Sequence, residues 1–227
     1  MKKVIKEIDN YLNRLFPINR SISGEGTRTT LDILQEIVPL QKKEYNSLEK
    51  VYDWIIPKEW NVKDAWIKDK NGNKVIDFKK NNIHLVGYSI PINQKMEFEK
   101  LKDHLFYHKD IPDAIPYRTS YYDENWGFCV TQKQYKELKN SAGLLEVFID
   151  SNFDSKGSIT IGELLIPGEQ SEEILISTYI CHPSLGNDNL SGALMTAFLA
   201  RELQKKSNLK KSYRIIWVPE TIGAIAY

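Results

Sequence analysis

Two apolar runs in the last third of the chain constrain its fold more than any other feature. Glu173-Ile-Leu-Ile-Ser-Thr-Tyr-Ile180 and Tyr213-Arg-Ile-Ile-Trp-Val218 are nearly continuous in hydrophobic and β-favouring residues. Runs of that kind read as strands buried on both faces. Between them, from about Asp188 to Lys205, Leu190, Leu194, Ala197, Phe198 and Leu203 recur at helical spacing. Strand, helix, strand in that rhythm predicts an α/β domain with parallel neighbours. Pro219-Glu220 then opens what reads as a further helix.

Earlier segments are less uniform. Val4, Ile8, Tyr11, Leu12 and Leu15 predict a helix over 3–16, stopped by Pro17. The turn-rich Arg20-Ser-Ile-Ser-Gly-Glu-Gly26 leads into a second helix over 27–37. Val51-Tyr-Asp-Trp-Ile-Ile56 alternates and predicts a strand. From about 60 to 153 the texture changes. Short β-like runs at 65–67, 74–78 and 83–88 are divided by turns such as Asn71-Gly-Asn73. A helix-like piece follows at 98–107, then an aromatic-dense stretch at 115–129. Strands are expected at 143–150 and 158–167.

Composition narrows the function classes. Lys plus Arg number 31 against 30 Asp plus Glu, a net charge of +1. That balance supplies no electrostatic footprint for nucleic acid or an anionic membrane. The run Lys205, Lys206, Lys210, Lys211 reads as a solvated face. No stretch approaches the ~20 apolar residues a membrane helix needs. Glu7, Asp9, Asn10 and Arg14 interrupt any signal-peptide core, so a cytoplasmic protein is expected. Cys129 and Cys181 read as buried free thiols rather than a disulfide framework.

Ligands gather at the carboxyl ends of strands in an open α/β sheet. Two such ends here carry titratable residues. His182 leaves the first apolar run, Asp188 opens the next helix, and Glu220 follows the second run. An imidazole with a carboxylate is a common partial ligand set for zinc, and a second carboxylate nearby can act as general base. Each residue also has a plain structural reading. Asp188 would cap a helix, His182 would be a satisfied polar residue, and Glu220 would complement a helix dipole. Their joint occurrence at adjacent strand ends favours the functional one. A nucleophilic Cys181–His182 pair is disfavoured, because successive residues of an extended strand point to opposite faces.

The segments Ser158–Gly168, Glu172–His182 and Asn187-Asp-Asn-Leu-Ser-Gly192 together resemble the core of the M28-type zinc aminopeptidases. Arg20-Ser-Ile-Ser-Gly24, Ile115-Pro-Tyr-Arg118 and Trp126-Gly-Phe-Cys129 look like signatures of a bacterial aminopeptidase-like group, whose domains are named DUF4910 and DUF2172. The resemblance implies a zinc-exopeptidase-like mixed sheet flanked by helices. It implies a zinc-dependent hydrolase of a peptide or other small amide, and Thr221 in place of one glutamate ligand makes one zinc ion the expectation rather than two. His182 falls on the family's first metal histidine, Asp188 on its bridging aspartate, and Glu220 on the glutamate expected to act as general base.

Two departures stand out. Ser184 replaces the aspartate that orients the histidine, and Thr221 replaces a glutamate ligand. They favour the alternative of a non-catalytic scaffold that binds a saccharide or a protein partner. The resemblance also makes 60–153 an inserted β-rich domain within an aminopeptidase-like domain formed by 1–59 and 154–227. Tyr117, Arg118 and Trp126, with Tyr121 and Tyr122, would line a substrate cleft, or else form an ordinary aromatic mini-core. The family pattern further implies strands and a metal histidine beyond Tyr227. His84, His104 and His108 all belong to the insertion. On that pattern the sheet is incomplete at its C-terminal end. The 213–218 strand is then expected to lack a neighbour and to favour self-association along its edge.

Overall fold

The computed structural model describes residues 2–227. In chain order the elements are α1 (Lys2–Leu15), α2 (Glu25–Gln35), β1 (Gln41–Asn46), β2 (Lys50–Val51), β3 (Trp54–Ile55) and β4 (Glu59–Lys68). There follow β5 (Lys74–Asp77), β6 (Ile92–Met96), α3 (Phe98–Leu101), β7 (Leu105–Phe106), β8 (Phe128–Cys129) and α4 (Gln132–Asn140). The last six are β9 (Leu145–Asp154), β10 (Ser158–Ile166), β11 (Glu173–Tyr179), α5 (Ser191–Gln204), β12 (Ser212–Val218) and α6 (Ile222–Ala226). Contacts divide them into two compact units: residues up to Glu59 together with Asp154–Tyr227, and Trp60–Phe153.

The first unit is a mixed α/β layer structure. Its sheet runs β1-β10-β12-β11, with β11 parallel to β12 and β10 antiparallel to both of its neighbours. One face is covered by α1, α2 and α5. Leu15, Leu31, Leu34, Ala197, Ile215 and Trp217 are fully buried there. Trp217 also donates its indole N–H to the Ala193 carbonyl at 3.0 Å, so its one polar atom is satisfied. Gly162 lies opposite Trp217 in the β10–β12 ladder. A Cβ there would stand 2.6 Å from Leu31 Cδ2, so the glycine is what lets α2 approach the sheet. The opposite face holds a smaller cluster of Ile161, Ile216 and Val218. Beside it, Arg214 forks onto Glu173 at 2.5 and 2.7 Å and reaches Glu163 at 2.5 Å.

The second unit carries the sheet β5-β4-β9-β6 and a short parallel ribbon of β7 with β8. Its core includes Ile67, Ile76, Leu101, Phe128, Leu138 and Val147, all fully buried. Thr131 and Gln134 close a reciprocal capping box on α4, which fixes where that helix begins.

Several expectations are corrected. The 51–56 segment is not one strand. It folds as a two-rung hairpin of β2 and β3, turning at Tyr52 with φ 55°. Segment 158–166 pairs on one side with β12 and on the other with β1, whose sequence Gln-Lys-Lys-Glu-Tyr-Asn is polar because it lies at the sheet edge. β11 is apolar but is not buried on both faces: Ile174, Leu175 and Tyr179 are exposed, and the strand is the other edge. β12 does not lack a neighbour, since β10 and β11 flank it. The helix foreseen over 98–107 ends at Leu101 and gives way to a 3₁₀ turn and β7. The run 83–88 is a 3₁₀ turn at Asn82–His84 followed by irregular chain. Helix α5 begins at Ser191 rather than Asp188. Asp188 and Asn189 have non-helical angles inside a π-type turn, Gly186–Leu190, and the peptide between them is cis. Asp188 is therefore not a helix cap.

Candidate metal centre

The parallel pairing of β11 with β12 brings the sequence-separated residues together. Tyr179 is in register with Val218, and the Ile180 N–H reaches the Val218 carbonyl at 3.1 Å. Both strands thus release their next residues at one end of the sheet, as ligand-binding α/β sheets do. His182 comes from the first exit and Glu220 from the second.

The His182 side chain is 7% exposed and lies between two carboxylates. Its Nε2 is 2.9 Å from Glu220 Oε2. Its Nδ1 is 3.4 Å from Asp188 Oδ1, on a side chain that is 72% exposed. The turn carrying Asp188 is tied to the strand end by Asn189, whose Nδ2 donates to Thr178 Oγ1 at 2.8 Å and to the Tyr179 carbonyl at 3.2 Å. Two non-glycine residues beside the site hold positive φ, Ser184 at 44° and Thr221 at 56°. Such angles cost energy and cluster where a fold over-determines a site.

Cys181 was read from sequence only as a buried thiol, yet it belongs to this cluster. Its Sγ, a His182 ring nitrogen and a Glu220 carboxylate oxygen lie within 4.8 Å of one another. The alternation argument fails here because Cys181 and His182 lie beyond the end of β11 at Tyr179. The available signal was the Cys-His pair itself, placed just past an apolar run. Burial pushes the Cys181 thiol up to about 12, and its Sγ accepts the Glu220 N–H at 3.2 Å. A thiol so held is a poor nucleophile, and its contact places Glu220.

A second unassigned residue lies beneath His182. Arg20 is 2% exposed and donates from Nε to the His182 carbonyl at 2.9 Å and from Nη1 to the Leu15 carbonyl at 2.6 Å. Burial draws its pKa down to about 10, which leaves it protonated at neutral pH. Ser184, where the resemblance expects an orienting aspartate, donates instead to the Phe16 carbonyl at 2.8 Å.

The other candidates lie in the second unit, and their described contacts are local to it. Tyr117 OH is 3.4 Å from Tyr121 OH. The Arg118 guanidinium sits 4.4 Å from the Phe106 ring centroid. Trp126 stacks on His104 at 3.7 Å. The unit's histidines are engaged there: His84 Nδ1 with the Cys129 carbonyl at 2.7 Å, His104 Nδ1 with the Trp126 carbonyl at 2.9 Å, and His108 Nδ1 with the N–H groups of Asp110 and Ile111.

This fold is shared with known peptidases. Over 97% of the chain it matches a Shewanella amazonensis peptidase M28 precursor at TM-score 0.58 and 10% identity, covering 65% of that chain. It also matches BSAP, a zinc aminopeptidase from Bacillus subtilis, at TM-score 0.55 and 9% identity, over 94% of this chain and 61% of that one. The architecture is therefore aminopeptidase-like. Residues 9–227 match the family model described as a domain of unknown function, DUF4910, and the chain belongs to that family. A Clostridium acetobutylicum protein described as "Putative polysaccharide biosynthesis protein with aminopeptidase-like domain" is 49% identical over 221 residues. That match covers 97% of this chain and 50% of the relative, so the chain spans half the relative's length. A crystal structure of a "putative peptidase" from the same organism superposes at TM-score 0.93 with 49% identity, over 98% of this chain and 52% of that one. Among the described residues, no helix is long and apolar enough to cross a membrane.

Proposed function

We propose that the first unit carries the core of a zinc-dependent amide hydrolase of the aminopeptidase type, acting on a peptide or another small amide. The observation that carries this reading is His182, buried at the strand exit with a carboxylate at each ring nitrogen. The donor chemistry suits one zinc ion, which takes imidazole nitrogen and carboxylate oxygen. His182 and Asp188 would hold the ion. Zinc would supply Lewis-acid polarisation of the scissile carbonyl. Glu220 then serves as general base, taking a proton from the attacking water and returning it to the leaving amine. Its backbone is fixed for this by the N–H contact to Cys181. Arg118, Tyr117 and Trp126 remain proposed substrate contacts, with Arg118 suited to a carboxylate.

Replacing Glu220 tests the assignment. Glu220→Gln should leave zinc affinity nearly intact while amide hydrolysis falls by ~10² or more. A 10–100-fold loss of zinc affinity would instead make Glu220 the carboxylate that orients His182.

A second reading is a scaffold that binds a saccharide or protein without catalysis. It is favoured by Ser184, whose hydroxyl is committed to the Phe16 carbonyl where the family resemblance expects a carboxylate. Zinc titration of the purified chain separates the two. Stoichiometric binding with turnover supports hydrolysis, and no binding supports the scaffold.

A further inference from the structure

The Arg20-Ser-Ile-Ser-Gly-Glu-Gly26 motif plays no part in the chemistry just described, yet its arginine reaches the centre. We propose that Arg20 is the positioning residue of His182, its guanidinium clamping the His182 backbone to the last turn of α1.

The last carbonyls of a helix lack intrahelical donors and carry its negative partial charge. At the end of α1 the carbonyls of Leu15 and of the next residue, Phe16, hold the loop that carries His182. The Leu15 carbonyl accepts Arg20 Nη1, and Nε of the same guanidinium takes the His182 carbonyl, 162 positions away in sequence. The Phe16 carbonyl accepts Ser184 Oγ. The loop is thus pinned on both sides of Pro183 to one helix end.

The approach of the chain to Arg20 is also built in. A Cβ at Gly26 would fall 2.0 Å from the Asn19 carbonyl oxygen and 3.2 Å from the Arg20 nitrogen. The turn between α1 and α2 therefore closes only on glycine. Thr27 Oγ1 donates to the Ser21 carbonyl at 2.7 Å and holds it closed. A lysine at position 20 keeps the charge but presents a single nitrogen, which cannot serve two carbonyls from different elements in the fixed geometry of a guanidinium fork. Positioning through the backbone leaves both ring nitrogens of His182 to the carboxylates.

The proposal rests on the reading of His182 as a zinc ligand, and its test has a metal-free arm. The full chain, labelled with ¹⁵N-histidine, is compared as wild type, Arg20→Lys and Ser184→Ala. Thermal unfolding reports stability, and zinc titration reports the site. Arg20→Lys is expected to move the His182 imidazole signals in the absence of metal, with the signals of His84, His104 and His108 unchanged. Zinc affinity is expected to fall 10–100-fold. Ser184→Ala should give smaller changes in the same signals. Unmoved His182 signals in a folded Arg20→Lys chain would overturn the proposal, whatever the stability change. Should Arg20→Lys not fold, Ser184→Ala carries the test, and unmoved His182 signals there overturn it. If wild type binds no zinc but its His182 signals respond to Arg20→Lys, positioning stands and the zinc reading fails.

Discussion

Thr221 follows Glu220 with φ 56° and ψ −80°, a conformation that a β-branched residue adopts only under constraint. Thr221→Gly should relieve it and raise stability by about 1 kcal/mol, the strain of such a residue less the backbone entropy of glycine. A urea midpoint that falls would show the angle to be unstrained. Cys129 offers a test in the second unit. Burial pushes its thiol up to about 12, with Arg118 working weakly the other way. The native state therefore keeps this proton where the unfolded chain, titrating near 8.5, has lost it. The stability so gained is complete below about pH 8.5 and is lost as pH rises toward 12. Iodoacetamide at pH 8 should leave Cys129 unmodified in the folded chain and label it in denaturant. That His182, Asp188 and Glu220 would lie together was legible in the sequence, because the exits of neighbouring parallel strands in an α/β sheet are predictable places. The contact of Arg20 was not, because the His182 carbonyl that it holds lies 162 positions away in sequence.

Helix α2 rests on the sheet through Leu31 against Gly162. Gly162→Val should overpack that contact and cost about 1–3 kcal/mol, read as a lower denaturation midpoint. A neutral outcome would mean that α2 can lift without loss. Elements whose burial follows their pattern, such as α1, α2, α5 and β12, were readable from periodicity. Those set by their place in the sheet were not. β1 carries no apolar alternation because it is an edge strand with every residue but Tyr45 exposed. β11 reads as an interior strand, yet it too is an edge, and its composition does not record which neighbours it has. Trp54 and Ile55 look like strand interior but sit in the two-stranded hairpin of β2 and β3. α4, with the sequence Gln-Lys-Gln-Tyr-Lys-Glu-Leu-Lys-Asn, buries only Leu138, so periodicity is nearly silent and the capping box is its one clear signal.

At the scale of the molecule, the edges of the first unit's sheet among the described residues are β1, which is polar, and β11, which is apolar, and not β12. Leu175 of β11 is 57% exposed. If copies associate through this edge, Leu175→Lys should lower the weight-average mass in sedimentation at high protein concentration, because edge lysines oppose strand pairing. An unchanged mass would place any association elsewhere. The division into two units has a kinetic consequence. β1 and β10 are adjacent antiparallel strands, and Glu44 bonds Ser158, 114 positions along the chain. In most sheets such neighbours meet across a short turn, but here the whole of Trp60–Phe153 lies between them. Closing a flexible span of that length costs ~4 kcal/mol of chain entropy, and contacts so distant in sequence slow folding. The cost falls if the intervening unit collapses first and presents its two ends as fixed points. The order of assembly is then written into the connectivity: the sheet that carries His182 and Glu220 waits on a unit that holds neither.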